Sequence, residues 1–147
     1  MKNLLKILYL VPVLVGLGIV GSLLWNRAKP PPVHVMSGPP FASVPITNLT
    51  ANLFTPEGHL GPAANDVFIE FRDAGGKLVD VGAVQFEVGM TTPTGAIAHS
   101  LSKVLRTSTP GQYRANVMPE IAGEWKARLS FTGPRGQADA RFLVTVK

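Results

Sequence analysis

Two hydrophobic patterns divide the chain. Residues 7–25, ILYLVPVLVGLGIVGSLLW, carry no charge. As a helix rising about 1.5 Å per residue they span about 28 Å, close to the hydrocarbon thickness of a bilayer. Lys2 and Lys6 precede the run, Arg27 and Lys29 follow it, and Tyr9 and Trp25 stand near its ends, where amphipathic rings prefer the membrane interface. The run exceeds the apolar core of about 7 to 15 residues in a secretory signal. Gly21 and Ser22 are followed by Leu23, Leu24 and Trp25 rather than by an A-x-A-like site. Residues 1–29 therefore read as an uncleaved, single-pass transmembrane anchor. Counting the terminal amine, the N-terminal flank has the slight excess of positive charge, which predicts a C-terminal domain outside the cytoplasm.

After position 46 the period changes to two. Leu49, Ala51 and Leu53 share one face of residues 47–54, and Val67, Ile69 and Phe71 oppose Phe68, Glu70 and Arg72. Val84, Phe86, Val88 and Met90 form the apolar phase of residues 83–90. Residues 103–108 read as a short edge strand. Tyr113, Ala115 and Val117 alternate with Arg114, Asn116 and Met118. Trp125, Ala127, Leu129 and Phe131 point inward in the clearest strand, and Phe142, Val144 and Val146 do so in the last. Asp73-Ala74-Gly75-Gly76-Lys77, Thr109-Pro110-Gly111-Gln112 and Gly133-Pro134-Arg135-Gly136 supply reversals. Seven short antiparallel strands with no amphipathic helix between them predict a mainly β fold, an immunoglobulin-like sandwich over residues 46–147. Tyr113, directly after a turn, is expected to pack its ring and bond its hydroxyl to nearby backbone, and Trp125 is expected to anchor the core. Between anchor and sandwich, residues 30–45 contain Pro30, Pro31, Pro32, Pro39, Pro40 and Pro45. So many prolines exclude a helix or central strand and predict an extended, semi-rigid tether.

Charge then changes its meaning. The 147 residues carry 14 Lys+Arg against 9 Asp+Glu, a formal +5. Four of the basic residues flank the apolar run, and all the acidic ones lie after position 30, so the remainder of the chain is at +1. Its basic side chains are scattered over strands and turns and form no run that would track a phosphate backbone, which excludes a nucleic-acid partner. The absence of Cys rules out a disulfide scaffold, a thiolate nucleophile, an iron–sulfur cluster and a Cys-built zinc site. No HExxH pair, GxSxG elbow or phosphate-cradling glycine loop is present, so no enzyme is expected.

The succession Gly75-Gly76-Lys77-Leu78-Val79, the strand from Val84 to Met90, Pro110-Gly111-Gln112-Tyr113-Arg114-Ala115, Ala122-Gly123-Glu124-Trp125 and Phe142-Leu143-Val144-Thr145-Val146 resembles the YtkA-like/FixH-like family over residues 47–147. The resemblance implies an immunoglobulin-type or CopC-like sandwich behind one transmembrane helix, in bacterial envelope proteins linked to copper handling or to assembly of respiratory oxidases. Copper-linked members typically carry a Met-rich and His-rich loop after the third strand and a Met before Gly-x-Trp. Here the loop from Met90 to His99 holds one Met and one His, and Ile121 stands at the second position.

Thioether and imidazole donors suit Cu(I), and the candidate metal ligands are Met90, His99 and Met118, provided that the loop folds back over one end of the sandwich. Met90 is in the core phase and Met118 on the outward face. No cofactor is expected in the first reading, and copper is the cofactor of the alternative one. The expected protein is a non-enzymatic accessory, assembly or interaction factor for a respiratory or efflux complex. It would be anchored in the bacterial inner membrane with its domain on the periplasmic side and an envelope or membrane protein as partner. The alternative is a periplasmic copper-binding module.

Overall fold

The computed structural model describes residues 36–147. The predicted anchor lies outside the described residues, among which no helix is long and apolar enough to cross a membrane. The described residues form nine strands: β1 (Ala42–Ile46), β2 (Leu49–Phe54), β3 (Asn65–Arg72), β4 (Ala83–Thr91), β5 (Ile97–Ser102), β6 (Val104–Arg106), β7 (Gln112–Val117), β8 (Gly123–Gly133) and β9 (Gly136–Val146). They pair in two antiparallel sheets, β1-β2-β3-β7-β6 and β5-β4-β8-β9. The inward residues of both sheets join one apolar cluster, the arrangement of a sandwich.

The count of nine corrects the expected seven, and both additional strands have a physical reason. β1 begins at Ala42, inside the stretch read as tether. It is an edge strand, so Pro45 removes no ladder bond that a central strand would need, and Val44 and Ile46 are buried while Pro45 is exposed. β5 carries Ala98 and Ser100 on its inward face, small and polar residues that leave no apolar period to read. The expected strand at residues 103–108 is present as the three-residue edge strand β6.

The glycine-rich reversal after β3 is held by Asp73, whose Oδ1 accepts from Gly75 N and Lys77 N at 3.0 Å each. The reversal does not join β3 and β4 as a hairpin. It lays Leu78 beside Arg72, with Val79 N donating to Phe71 O at 2.8 Å, and the chain then crosses to the other sheet. Gly82 and Gly133 allow that crossing to press on the β8–β9 turn: a Cβ on Gly82 would stand 2.5 Å from Thr132 O, and one on Gly133 2.3 Å from Val81 O.

Phe71 lies at the centre of the core, meeting Tyr113 edge-on at a centroid distance of 5.7 Å and Phe131 at 5.7 Å. Trp125 is 1% exposed, as its phase requires, and its Nε1–H donates to Ile121 O at 2.9 Å. That bond gives the Ile121-to-Trp125 spacing a structural purpose.

Candidate functional site

Alternation along β4 turns Val84, Phe86 and Val88 into the core and Glu87, Gly89 and Thr91 to the outer face. Gly89 pairs with His99 on one side and with Lys126 on the other, and Lys126 pairs with Leu143. Residues directly opposite in an antiparallel ladder share a face, so His99, Gly89, Lys126 and Leu143 form a row across the outer face of the four-stranded sheet. The missing side chain at Gly89 leaves a depression there, and the imidazole leans over it: a Cβ on Gly89 would meet His99 Nδ1 at 2.9 Å.

The result is an open concavity of about 520 Å³, lined among others by Gly89, Ile97, His99, Lys126 and Leu143. Ile97 and Leu143 are 68% and 57% exposed, so two large apolar side chains are presented to solvent beside it. One rim is electrostatically organised. Arg128 lies 3.6 Å from Glu87 and 3.4 Å from Asp139, and Arg141 lies 3.9 Å from Asp139. Lys126 makes no ion pair among the described residues. Such a surface can hold a partner by apolar contact with a polar rim.

Of the three residues singled out as metal ligands, Met90 and His99 are separated by the pleat of one sheet, and Met118 follows β7 of the other. Met90 follows the inward phase and packs partly buried against the core, whereas His99 sits opposite Gly89 on the outer face. Met118 is 53% exposed just past the end of β7, and its backbone N–H donates to Ser100 Oγ at 2.9 Å. His99 lines the outer concavity together with Met90 and a second one, of about 390 Å³, together with Met118. Of the three, His99 alone lines both concavities. Among the described residues no group of three or more His, Cys, Asp or Glu is placed to hold a metal. Gly89 escaped sequence reasoning because it is a lone glycine in a strand; its place beneath His99 depends on the pairing of β4 with β5.

Comparison with protein-family models, with curated proteins and with solved structures finds no match.

A second polar cluster secures the crossing between the sheets. The Tyr113 hydroxyl donates to Asp80 Oδ1 at 2.9 Å and accepts from Val81 N at 3.1 Å, and Arg106 approaches Asp80 at 3.2 Å. The expected hydroxyl–backbone bond is present, to a residue 32 positions away in the chain. The Gly82 backbone N–H and the Tyr113 hydroxyl hold the Asp80 carboxyl below its ordinary value, while burial pushes the Tyr113 phenol up. On the five-stranded sheet, Glu70 is 4% exposed and bonds Arg72 at 2.6 Å and Gln112 Nε2 at 3.1 Å. These bonds satisfy a carboxylate that burial would otherwise penalise. All of these contacts are explained by the architecture.

Proposed function

We propose that the protein is a non-enzymatic contact factor for a membrane complex, respiratory or efflux in type, held in the bacterial inner membrane by residues 7–25 with its sandwich on the periplasmic side. The observation that carries this reading is the outer face of the β5-β4-β8-β9 sheet. It is open and shallow, has a glycine floor, and presents Ile97 and Leu143 to solvent. The order of the two sheets also supports an immunoglobulin-type topology, in which β3 pairs with β7 and β4 with β8. That topology is in keeping with the YtkA-like/FixH-like resemblance.

The test is complementation. A strain lacking the chain is expected to lose or destabilise a membrane complex on a native gel, and the wild-type chain to restore it. Ile97→Asp and Lys126→Glu, both exposed and remote from the core, are expected to abolish restoration at unchanged protein level. Membrane complexes that stay intact without the chain, or full restoration by both variants, would overturn the proposal.

Copper binding is the second reading, and the observation favouring it is that His99 shares a concavity with each methionine in turn. A chain that binds Cu(I) more weakly than about micromolar against a competing chelator, or equally well after His99→Ala, would dispose of it.

A further inference from the structure

The two sheets end in four edge strands, and three of them are short beside the fourth. β1 has five residues and carries Pro45, β6 has three, and β5 has six. β9 differs: it has eleven residues, no proline, and an unbroken register against β8 from Gly136 to Val146. Long straight edges of this kind are what natural sheets ordinarily protect, because their free N–H and C=O groups template pairing with another chain.

The direction of those groups can be read from one contact. Leu60 bridges Val146 in parallel, and Lys147 N–H donates to Leu60 O at 2.9 Å, so Lys147 turns its backbone away from β8. Alternation then turns Gln137, Asp139, Arg141 and Leu143 the same way. Their backbone groups make no hydrogen bond among the described residues.

We propose that β9 pairs antiparallel with β9 of a second copy of this chain, about a two-fold axis through Ala140. The charges select that register. An antiparallel pairing through the outward-directed groups must set odd-numbered residues against odd-numbered ones. Centring it on Ala140 places Asp139 opposite the partner's Arg141, and Arg141 opposite the partner's Asp139. Sliding by one residue in either direction about the axis places Asp139 on Asp139 or Arg141 on Arg141, and like charges directly opposed are destabilising. The contact is therefore self-complementary, as a closed two-fold dimer requires.

The apolar side of the strand points the same way. Ala138, Ala140 and Phe142 are inward-facing yet only partly buried, whereas their cross-strand neighbours Phe131, Leu129 and Ala127 are 2%, 0% and 3% exposed. In the paired form Phe142 lies opposite Ala138 of the second copy. Four hydrogen-bonded residue pairs supply about eight backbone bonds and merge the two four-stranded sheets into one. This inference does not depend on the proposed function, and its test uses residues other than Ile97 and Lys126.

The full chain, kept in mild detergent, is expected to show the mass of two protein copies by light scattering. Arg141→Asp is expected to weaken the dimer at least about tenfold by placing two carboxylates opposite each other twice. The double swap Asp139→Arg with Arg141→Asp is expected to restore it. Because the chain has no cysteine, Ala140→Cys introduces a single thiol on the axis. Non-hydrogen-bonded partners there stand about 4.5 Å apart at Cα, within reach of a disulfide. Mild oxidation is expected to link that variant to itself and to leave Lys103→Cys, between β5 and β6, unlinked. A monomeric full chain, or a dimer that Arg141→Asp does not weaken, overturns the proposal. Should Ala140→Cys fail to fold, the surface charge variants decide, with near-ultraviolet circular dichroism confirming their native packing.

Discussion

Replacing Tyr113 by Phe isolates what the hydroxyl contributes to the crossing between the sheets. The ring keeps its shape and its edge-on contact with Phe71, so no cavity opens. The Val81 N–H loses its acceptor, and Val81 is 0% exposed, so no bulk water replaces the bond. Asp80 retains Gly82 N at 2.9 Å and Arg106 and is itself open to solvent, so its loss is small. The cost is that of one buried, unsatisfied backbone donor, about 2 kcal/mol. For a domain of roughly 100 residues this lowers Tm by about 8 to 16 °C. Thermal and urea denaturation of the full chain in detergent, followed by near-ultraviolet circular dichroism, measure it, with an unchanged urea slope expected. A loss below about 0.5 kcal/mol would refute the argument, since it would mean that the amide finds another partner when the hydroxyl is gone.

Other expectations rest on backbone and charge. Gly111→Ala should cost about 3 kcal/mol or more, because φ is +84° and the new Cβ would stand 2.7 Å from Val79 N; a Tm within about 5 °C of wild type would contradict this. Thr47→Asn should stabilise by about 1 kcal/mol, since Thr47 is a β-branched residue at φ 57° and Asn tolerates that region; any fall in Tm counts against it. Asp66, held low chiefly by Arg114 at 2.7 Å, and Asp80, held low by Gly82, both have folded-state values below 3.8. Their stabilisation is therefore complete above that pH and is lost as the pH falls through the lower folded values. Asp66→Asn should flatten the acid limb of a stability–pH curve, and a variant whose limb is unchanged refutes the assignment.

The legible parts of the fold were those in which side-chain period and burial agree. β3, β7, β8 and β9 alternate large apolar residues with polar ones, and each was placed correctly with its inward face. β1 was hidden by Pro45, which the edge position makes harmless. β5 was hidden by Ala98 and Ser100, inward-facing but small or polar and only half-buried, so that no apolar period marks the strand. The turn chemistry of Asp73 to Lys77 was readable, but its consequence was not. A reversal followed by a hairpin and one followed by a change of sheet share the same local residues, and the choice is made by Gly82 meeting Gly133 far along the chain. The candidate ligands show the same division. Phase alone put Met90 inward and Met118 outward, while the position of His99 over Gly89 depends on a pairing between strands that no local pattern encodes.

The crossing from β3 to β4 also bears on how quickly the molecule reaches its native state. β8 and β9 are joined by a two-residue turn and can zip locally, as can β1 and β2. The ladders that complete each sheet, β3 with β7 and β4 with β8, unite segments remote in the chain. Their closure must precede any reward from Phe71 meeting Phe131, and a topology dominated by such distant pairings folds in milliseconds to seconds rather than microseconds. A β8–β9 hairpin that zips locally would present the β9 edge before the distant ladders close, which is when mispairing of that edge is most open to a second chain.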